Sequence, residues 1–236
     1  MTEQQESYIQ QLVVSLRTRL LVMGASVEIA VDNMQKAVTR MDIGTAQAVI
    51  ENDDTIDALE NEVDESSLAL LARAQPVARD LRFVVSALRM VVDMERVGDE
   101  AASICSQVLL MKDADTAAVM DLVGRHLNSS TEAFSRALQI LRSDDSEAAL
   151  TMKHSDDEAL QSEVATIERL MKQLENAQKG GMDAVLVMHL ILMVHSLTRI
   201  WRRSANIAGH VYFASLGDSL KHAPQGEREK KARLHF

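Results

Sequence analysis

Two carboxylates, Glu95 and Asp99, stand four residues apart in a row of apolar residues. The row runs Leu81, Val84 and Val85, Leu88, Val92, Glu95, Asp99 and Ala102. Steps of three and four place these side chains on one face of a helix. If that face looks into a core, the two acids repel each other and lose hydration unless a cation neutralises them. Carboxylate oxygens are hard donors, and the metals that suit them are Mg²⁺, Mn²⁺ or iron. Asp53, Asp57, Glu60 and Asp64 step by four, three and four, and offer further acids on one face of the preceding helix. Two alternatives stand beside the metal. Acidic helix faces are commonly just solvated, and Arg79, Arg82, Arg89 and Arg96 offer guanidinium groups that neutralise carboxylates as salt bridges.

Other chemistries find less support. Ferritin-like di-metal oxidases draw ligands from Glu-x-x-His, and none of the seven histidines has a glutamate three positions before it. The chain has no Gly-x-Ser-x-Gly elbow, no phosphate-binding glycine loop and no His-Glu-x-x-His. Cys105 has apolar neighbours on a helical stretch and reads as packing rather than as a nucleophile. The thirteen methionines fall mostly at helical spacing, which makes them core residues before docking residues. No set of nucleophile, base and orienter assembles, so a non-enzymatic role is expected.

The elements that carry these residues are expected to be helices throughout. Prolines number two and glycines nine, and aromatics make up 3% of the chain. A strand-rich fold needs more turns and more aromatic and β-branched residues than that. Pro76 after Gln75 breaks a long helical pattern, so one helix should end near Arg73 and the next begin near Pro76. Gly180-Gly181 makes a second break, and Pro224 lies in the C-terminal tail. Leu12, Leu16, Leu20, Met23, Val27, Ala30, Met34 and Val38 mark a first helix. Ile50, Ile56, Leu59, Val63, Leu68 and Leu71 mark a second, and residues 81–104 a third.

The order then repeats, with helices expected over residues 115–141, 145–177 and 181–216. Asp57-Ala58-Leu59-Glu60-Asn61-Glu62-Val63 aligns with Glu158-Ala159-Leu160-Gln161-Ser162-Glu163-Val164. Glu95-Arg96-Val97-Gly98-Asp99 aligns with Thr198-Arg199-Ile200-Trp201-Arg202 at almost the same offset. The expectation is an all-α chain of two tandem three-helix bundles related by internal duplication, residues 1–112 and 113–216, followed by a charged, unstructured tail, 217–236.

Charge and composition bound the surroundings. A net charge of −10 disfavours nucleic acid as a partner. The basic residues of the tail, Lys221, Arg228, Lys230, Lys231 and Arg233, read first as a solvated end and second as a contact for anionic lipid. A single cysteine rules out an intrachain disulfide and fits a reducing cytoplasm. The acidic N-terminal stretch is unlike a signal peptide. The apolar run 184–197 is too short to span a bilayer. A soluble protein, reaching membranes only through a partner, is expected.

Gln75-Pro76-Val77-Ala78-Arg79-Asp80-Leu81-Arg82, followed by Glu95-Arg96-Val97-Gly98-Asp99, resembles the signature of the PhoU family. Ile50-Glu51-Asn52-Asp53, with Glu60, is similar to the family's second helix. With the repeat, the likeness extends over residues 10–215. The resemblance implies tandem three-helix bundles, homodimers, and multinuclear metal clusters held by Glu/Asp-x-x-x-Asp motifs. It also implies a negative regulator that links a phosphate ABC transporter to a membrane sensor kinase. By motif match Glu95 and Asp99 take the metal-ligand role, Asp53 and Glu60 join from the neighbouring helix, and Asp80 matches a family position of open role. The second half departs from the pattern. Where the family repeats Glu-Arg-Ile-x-Asp, this chain has Thr198 and Arg202 in place of the acids. A divalent metal or iron cluster is therefore expected in the first bundle only, with Arg202 filling the second place by pairing with an acid.

Overall fold

The computed structural model describes residues 3–153, 155–176 and 183–218. Most of the expected tail, together with Pro224, Gly180-Gly181 and the end of the helix expected to reach residue 177, lies outside the described residues. The described residues form eight helices and no strand: α1 (Glu3–Arg40), α2 (Ile43–Glu51), α3 (Asp53–Ala74), α4 (Ala78–Leu110), α5 (Thr116–Ser143), α6 (Ser146–Lys153), α7 (Asp156–Asn176) and α8 (Ala184–Leu216). Each half is a three-helix unit whose middle helix is in two pieces.

The breaks at Asn52 and around Ser155 fall at corresponding positions of the repeat and account for eight helices where the periodicity suggested six. Both sites carry short polar side chains that form local hydrogen bonds. Asn52 Oδ1 accepts from the Thr55 hydroxyl at 3.1 Å, and the Ser155 hydroxyl donates to the Met152 carbonyl at 2.8 Å. The short helices before the breaks are capped: Asp42 accepts from the Thr45 amide, and Asp145 accepts from the amides of Glu147 and Ala148. The break at Pro76 falls where expected, with α3 ending at Ala74 and α4 starting at Ala78. Gly217 ends α8 with a left-handed backbone, φ 81°.

α4 and α8 are the central pair. They pack along each other, and each carries the other helices of its own unit, while α1 against α5 makes the second contact between the units. Leu16, Leu20, Met23 and Met34 of α1, Met90, Met94 and Ile104 of α4, Phe134 and Leu138 of α5, and Met193, Leu197 and Ile200 of α8 belong to one continuous buried cluster. Each such side chain is worth ~1.5–3 kcal/mol of burial. The methionines divide, with Met23, Met34, Met90, Met94 and Met193 in the core and Met171 and Met188 exposed.

Two expectations about faces are corrected. The buried face of α4 is Val84, Ala87, Met90, Val91, Met94, Val97, Ala101 and Ile104. Leu81 and Val92, members of the row that contains Glu95 and Asp99, are 40% and 36% exposed. That row therefore lies on the flank of the helix and not on its core face. The apolar run 184–197 is part of a continuous 33-residue helix long and apolar enough to cross a membrane by length and composition. Here it is the central helix of the second unit, with Val187, Leu190, Met193, Val194 and Leu197 buried.

Candidate metal centre

The acids of α3 and α4 come together because the two helices approach closely at Gly98. A Cβ at that position would lie 2.9 Å from Ile56 Cδ1 and 3.5 Å from Asp53 Oδ1. Real Cβ contacts are essentially never that short, so any side chain at this position has to displace the end of Ile56. Asp53 opens α3, where a carboxylate faces the positive end of the helix dipole. One turn and two turns further on, Asp57 and Glu60 face Glu95 of α4, and the three offer carboxylate oxygens all within 4.8 Å of one another. Glu60 and Glu95 are half-buried, Asp57 is exposed, and Asp53 and Asp99 flank the trio, half-buried and exposed respectively.

The electrostatics show crowded like charge. Burial, then the field of Asp99 and that of Glu60, push the Glu95 carboxyl from 4.5 up to about 7. Burial and the neighbouring acids Asp99, Asp57 and Asp54 raise Asp53. Burial and the fields of Asp64, Asp57 and Asp99 raise Glu60, against a lowering pull from Arg96. The other arginines considered as neutralising partners serve elsewhere. Arg79 pairs with Asp144 at 3.2 Å, Arg82 donates to the Ala214 carbonyl, and Arg89 lies 5.9 Å over the Phe213 ring. An all-oxygen donor set, short of positive charge and gathered around one point, fits a hard divalent cation or iron. Asp57, Glu60 and Glu95 would hold it, with Asp53 and Asp99 within the same groove. The sequence pattern had placed Asp57 on the right face without singling it out as a ligand.

The corresponding groove of the second unit is built differently. Thr198, at the position matching Glu95, is 3% exposed. Its hydroxyl donates to the Val194 carbonyl at 3.0 Å and meets His126 Nε2 at 3.0 Å, while His126 Nδ1 meets the Ser162 hydroxyl at 2.8 Å. Burial holds the His126 imidazole below its ordinary pKa, so this network is neutral near pH 7. Trp201 stands where Gly98 stands in the first unit. Its indole reaches Ser155 Oγ at 3.4 Å, and its ring centroid is 6.2 Å from that of His126. His126 and Ser162 were not singled out from the sequence. The available signal was a histidine on the apolar stripe of α5.

The arginines beside Thr198 join the two units. Arg199 pairs with Glu100 of α4. Arg203 Nη1 donates to Asp93 Oδ1 at 2.9 Å, and His210 Nε2 lies 3.4 Å from Asp93 Oδ2. Asp93 is 5% exposed. Burial works to raise its carboxyl, but the hydrogen bonds and charges of His210 and Arg203 outweigh it and hold the group below the usual carboxylate range. Cys105 is fully buried, and burial pushes its thiol up to about 12, which leaves it a packing residue.

A duplicated three-helix unit, with an acidic groove in one copy and a Thr198–His126–Ser162 network at the matching place in the other, defines a two-unit helical bundle. The chain matches the PhoU domain twice, over residues 20–108 and 123–211, and it belongs to the PhoU family. It is similar to the phosphate-specific transport system accessory protein PhoU homolog of Pseudomonas aeruginosa, 31% identical over 88% of this chain and 85% of that one. It is also similar to the PhoU accessory protein of Escherichia coli, 26% identical over 92% of this chain and 88% of that one. The crystal structure of PhoU from Pseudomonas aeruginosa superposes with a TM-score of 0.80 at 27% identity, over 89% of this chain and 99% of that one. The PhoU structure from Streptococcus pneumoniae has the same fold, with a TM-score of 0.80 at 20% identity.

Proposed function

We propose that this chain is a non-catalytic cytoplasmic adaptor that restrains phosphate uptake and phosphate-starvation signalling through contacts with a phosphate ABC transporter and a membrane sensor kinase. The observation that carries the reading is the similarity, running through both units, to proteins named phosphate-specific transport accessory proteins. In this reading the protein works as a homodimer of chains divided at residues 112/113 and 216/217, and touches membranes only through its partners. The acidic groove of the first unit holds a divalent metal or an iron cluster, and the second unit holds none. Support for the metal comes from Asp57, Glu60 and Glu95, which crowd together with Arg96 as a cation whose pull reaches Glu60. The exposure of Asp57 and Asp99 favours a second reading, a metal-free interaction module of the same fold serving another transporter or regulator.

A deletion strain grown in high phosphate tests the phosphate assignment. Starvation genes should be expressed there and silenced again by the wild-type chain. Repression that persists in the deletion strain overturns it. Metal analysis of the purified protein separates the two readings of the groove, since Glu95→Ala should lose metal that the wild type carries. Equal metal content in both removes the metal centre and leaves the interaction module.

A further inference from the structure

Apolar side chains left outside the core gather on one face, built by α8 with α4 and α7 on its two sides. Val185, Met188, Leu192 and His195 step by three, four and three along α8 and so form one row. On the α4 side Gln107 meets His189 Nδ1 at 2.8 Å, and Leu110 follows one turn further along α4. On the α7 side Glu163 pairs with His195, and Leu160, Val164 and Met171 stand beside it at helical spacing. The seven apolar side chains of this face are each between 41% and 65% exposed. They are seven of the sixteen large apolar side chains exposed among the described residues, and they include both exposed methionines. Methionine is the apolar side chain that adapts most readily to a partner surface.

Charge and size narrow what covers the face. Its polar groups are paired among themselves: Glu163 with His195, Glu100 with Arg199 and Gln107 with His189. An identical copy can be laid on it without setting unpaired like charges against each other, as a two-fold contact requires. Seven such side chains at about half exposure present on the order of 500 Å² of apolar surface. In homodimers ~65% of the ~800 Å² that each partner contributes is apolar, which is an area of the same size. An anionic bilayer is a poor alternative, because it repels a chain of net charge −10. The chain itself supplies no obvious cover. Residues 177–182 contain one large apolar side chain, Met182. α8 ends at Gly217 against Arg82, and Leu110 lies 110 − 82 = 28 residues further along α4, ~42 Å away. We infer, resting on the homodimeric reading above, that two copies of this chain join through this face, with their α8 helices crossing at Met188 and Leu192. Leu110 and the three α7 residues close the contact around that crossing.

Sedimentation velocity of the full chain across a concentration series tests the face. The wild type should dimerise with a Kd below ~1 μM, and Met188→Glu/Leu192→Glu should raise that Kd at least ~100-fold. Val14→Glu/Val22→Glu, on exposed apolar positions of α1, should leave it unchanged. Leu110→Glu makes the same test from α4 if the α8 double variant loses helicity by circular dichroism. The wild-type dimer should tighten between about 0.05 M and 0.5 M NaCl, because salt screens the repulsion between two acidic chains and spares apolar contact. A dimer that weakens with salt, or that survives both sets of variants, overturns the face and leaves the homodimer standing. A wild-type chain still monomeric at ~100 μM overturns the face and the homodimer together, while the phosphate assignment is judged separately by the deletion strain. Wild-type binding to phosphatidylcholine vesicles that Met188→Glu/Leu192→Glu abolishes would assign the face to lipid and overturn the contact between copies.

Discussion

Gly98 sets how closely α3 can lie on α4, and so how tightly the acids of the first groove are gathered. A methyl group there meets Ile56 Cδ1, the far end of a side chain that can turn aside, and a helix gains up to ~1 kcal/mol from Ala over Gly. Gly98→Ala should therefore be close to neutral in urea unfolding. Gly98→Val adds branches toward Ile56 Cγ2 and the Asp53 carboxylate, which cannot all move, and should lose ~1–3 kcal/mol together with metal affinity. Glu95 gives a prediction of opposite sign. Its carboxyl is raised in the folded chain, so between 4.5 and about 7 the native state binds more protons than the unfolded one. Metal-free protein should then lose stability as pH rises through that window. Glu95→Gln should flatten the slope, and relief on the order of 1 kcal/mol should raise Tm at neutral pH by ~2–4 °C. A steeper slope in Glu95→Gln sinks this account. The spacing of Glu95 and Asp99 was legible in the sequence, but the face they occupy was not. α4 is apolar over a wide arc, and Leu81, Val85, Leu88 and Val92 on its flank read like core as readily as Val84, Ala87 and Val91 do.

At the scale of the elements, the duplication, the break at Pro76 and the loss of acids from the second groove could all be read from residue types and spacing. The breaks at Asn52 and Ser155 were hidden because neither proline nor glycine marks them: Asn52-Asp53-Asp54-Thr55 and Ser155-Asp156-Asp157 are only weak helix formers, and the hydrogen bonds at each break are made by single side chains. The neutral network on α8 was hidden for another reason: Thr198, His126 and Ser162 come from three helices, and only the packed unit brings them together. Thr198 is where that network can be tested. Thr198→Val keeps shape and burial but leaves His126 Nε2 without its partner, which should cost ~1–3 kcal/mol. Acid should act on the wild-type network as well. The imidazole is held below its ordinary pKa, so the unfolded chain takes the proton first, and stability from this site is lost as pH falls below 6.5. Thermal scans of wild type and Thr198→Val across that range check both expectations, and unfolding indifferent to the substitution would show that the hydrogen bond contributes nothing.

For the whole molecule the question is what makes two units behave as one. Their largest contact is α4 on α8, and its one deeply buried charge is Asp93. The groups facing it are Arg203 and His210 from α8, and their pull outweighs the desolvation of the carboxylate. Removing a single partner of a buried pair leaves the other charge uncompensated, typically at ~3–5 kcal/mol, whereas removing both can be close to neutral. Arg203 is the more solvated partner, with 29% of its side chain exposed against 8% for Asp93, so the two single variants should differ. Arg203→Met strands a carboxylate that burial already disfavours, with His210 as its remaining partner, and should be the costlier change. Asp93→Leu leaves a guanidinium that can swing toward water, and should cost less. In a double-mutant cycle followed by urea unfolding, Asp93→Leu with Arg203→Met should recover ~1–3 kcal/mol relative to the sum of the single losses. The singles should also separate the units, turning one cooperative transition into two as the seam weakens. Strictly additive losses with a single transition throughout would mean that apolar packing of α4 against α8 holds the halves together without help from this pair.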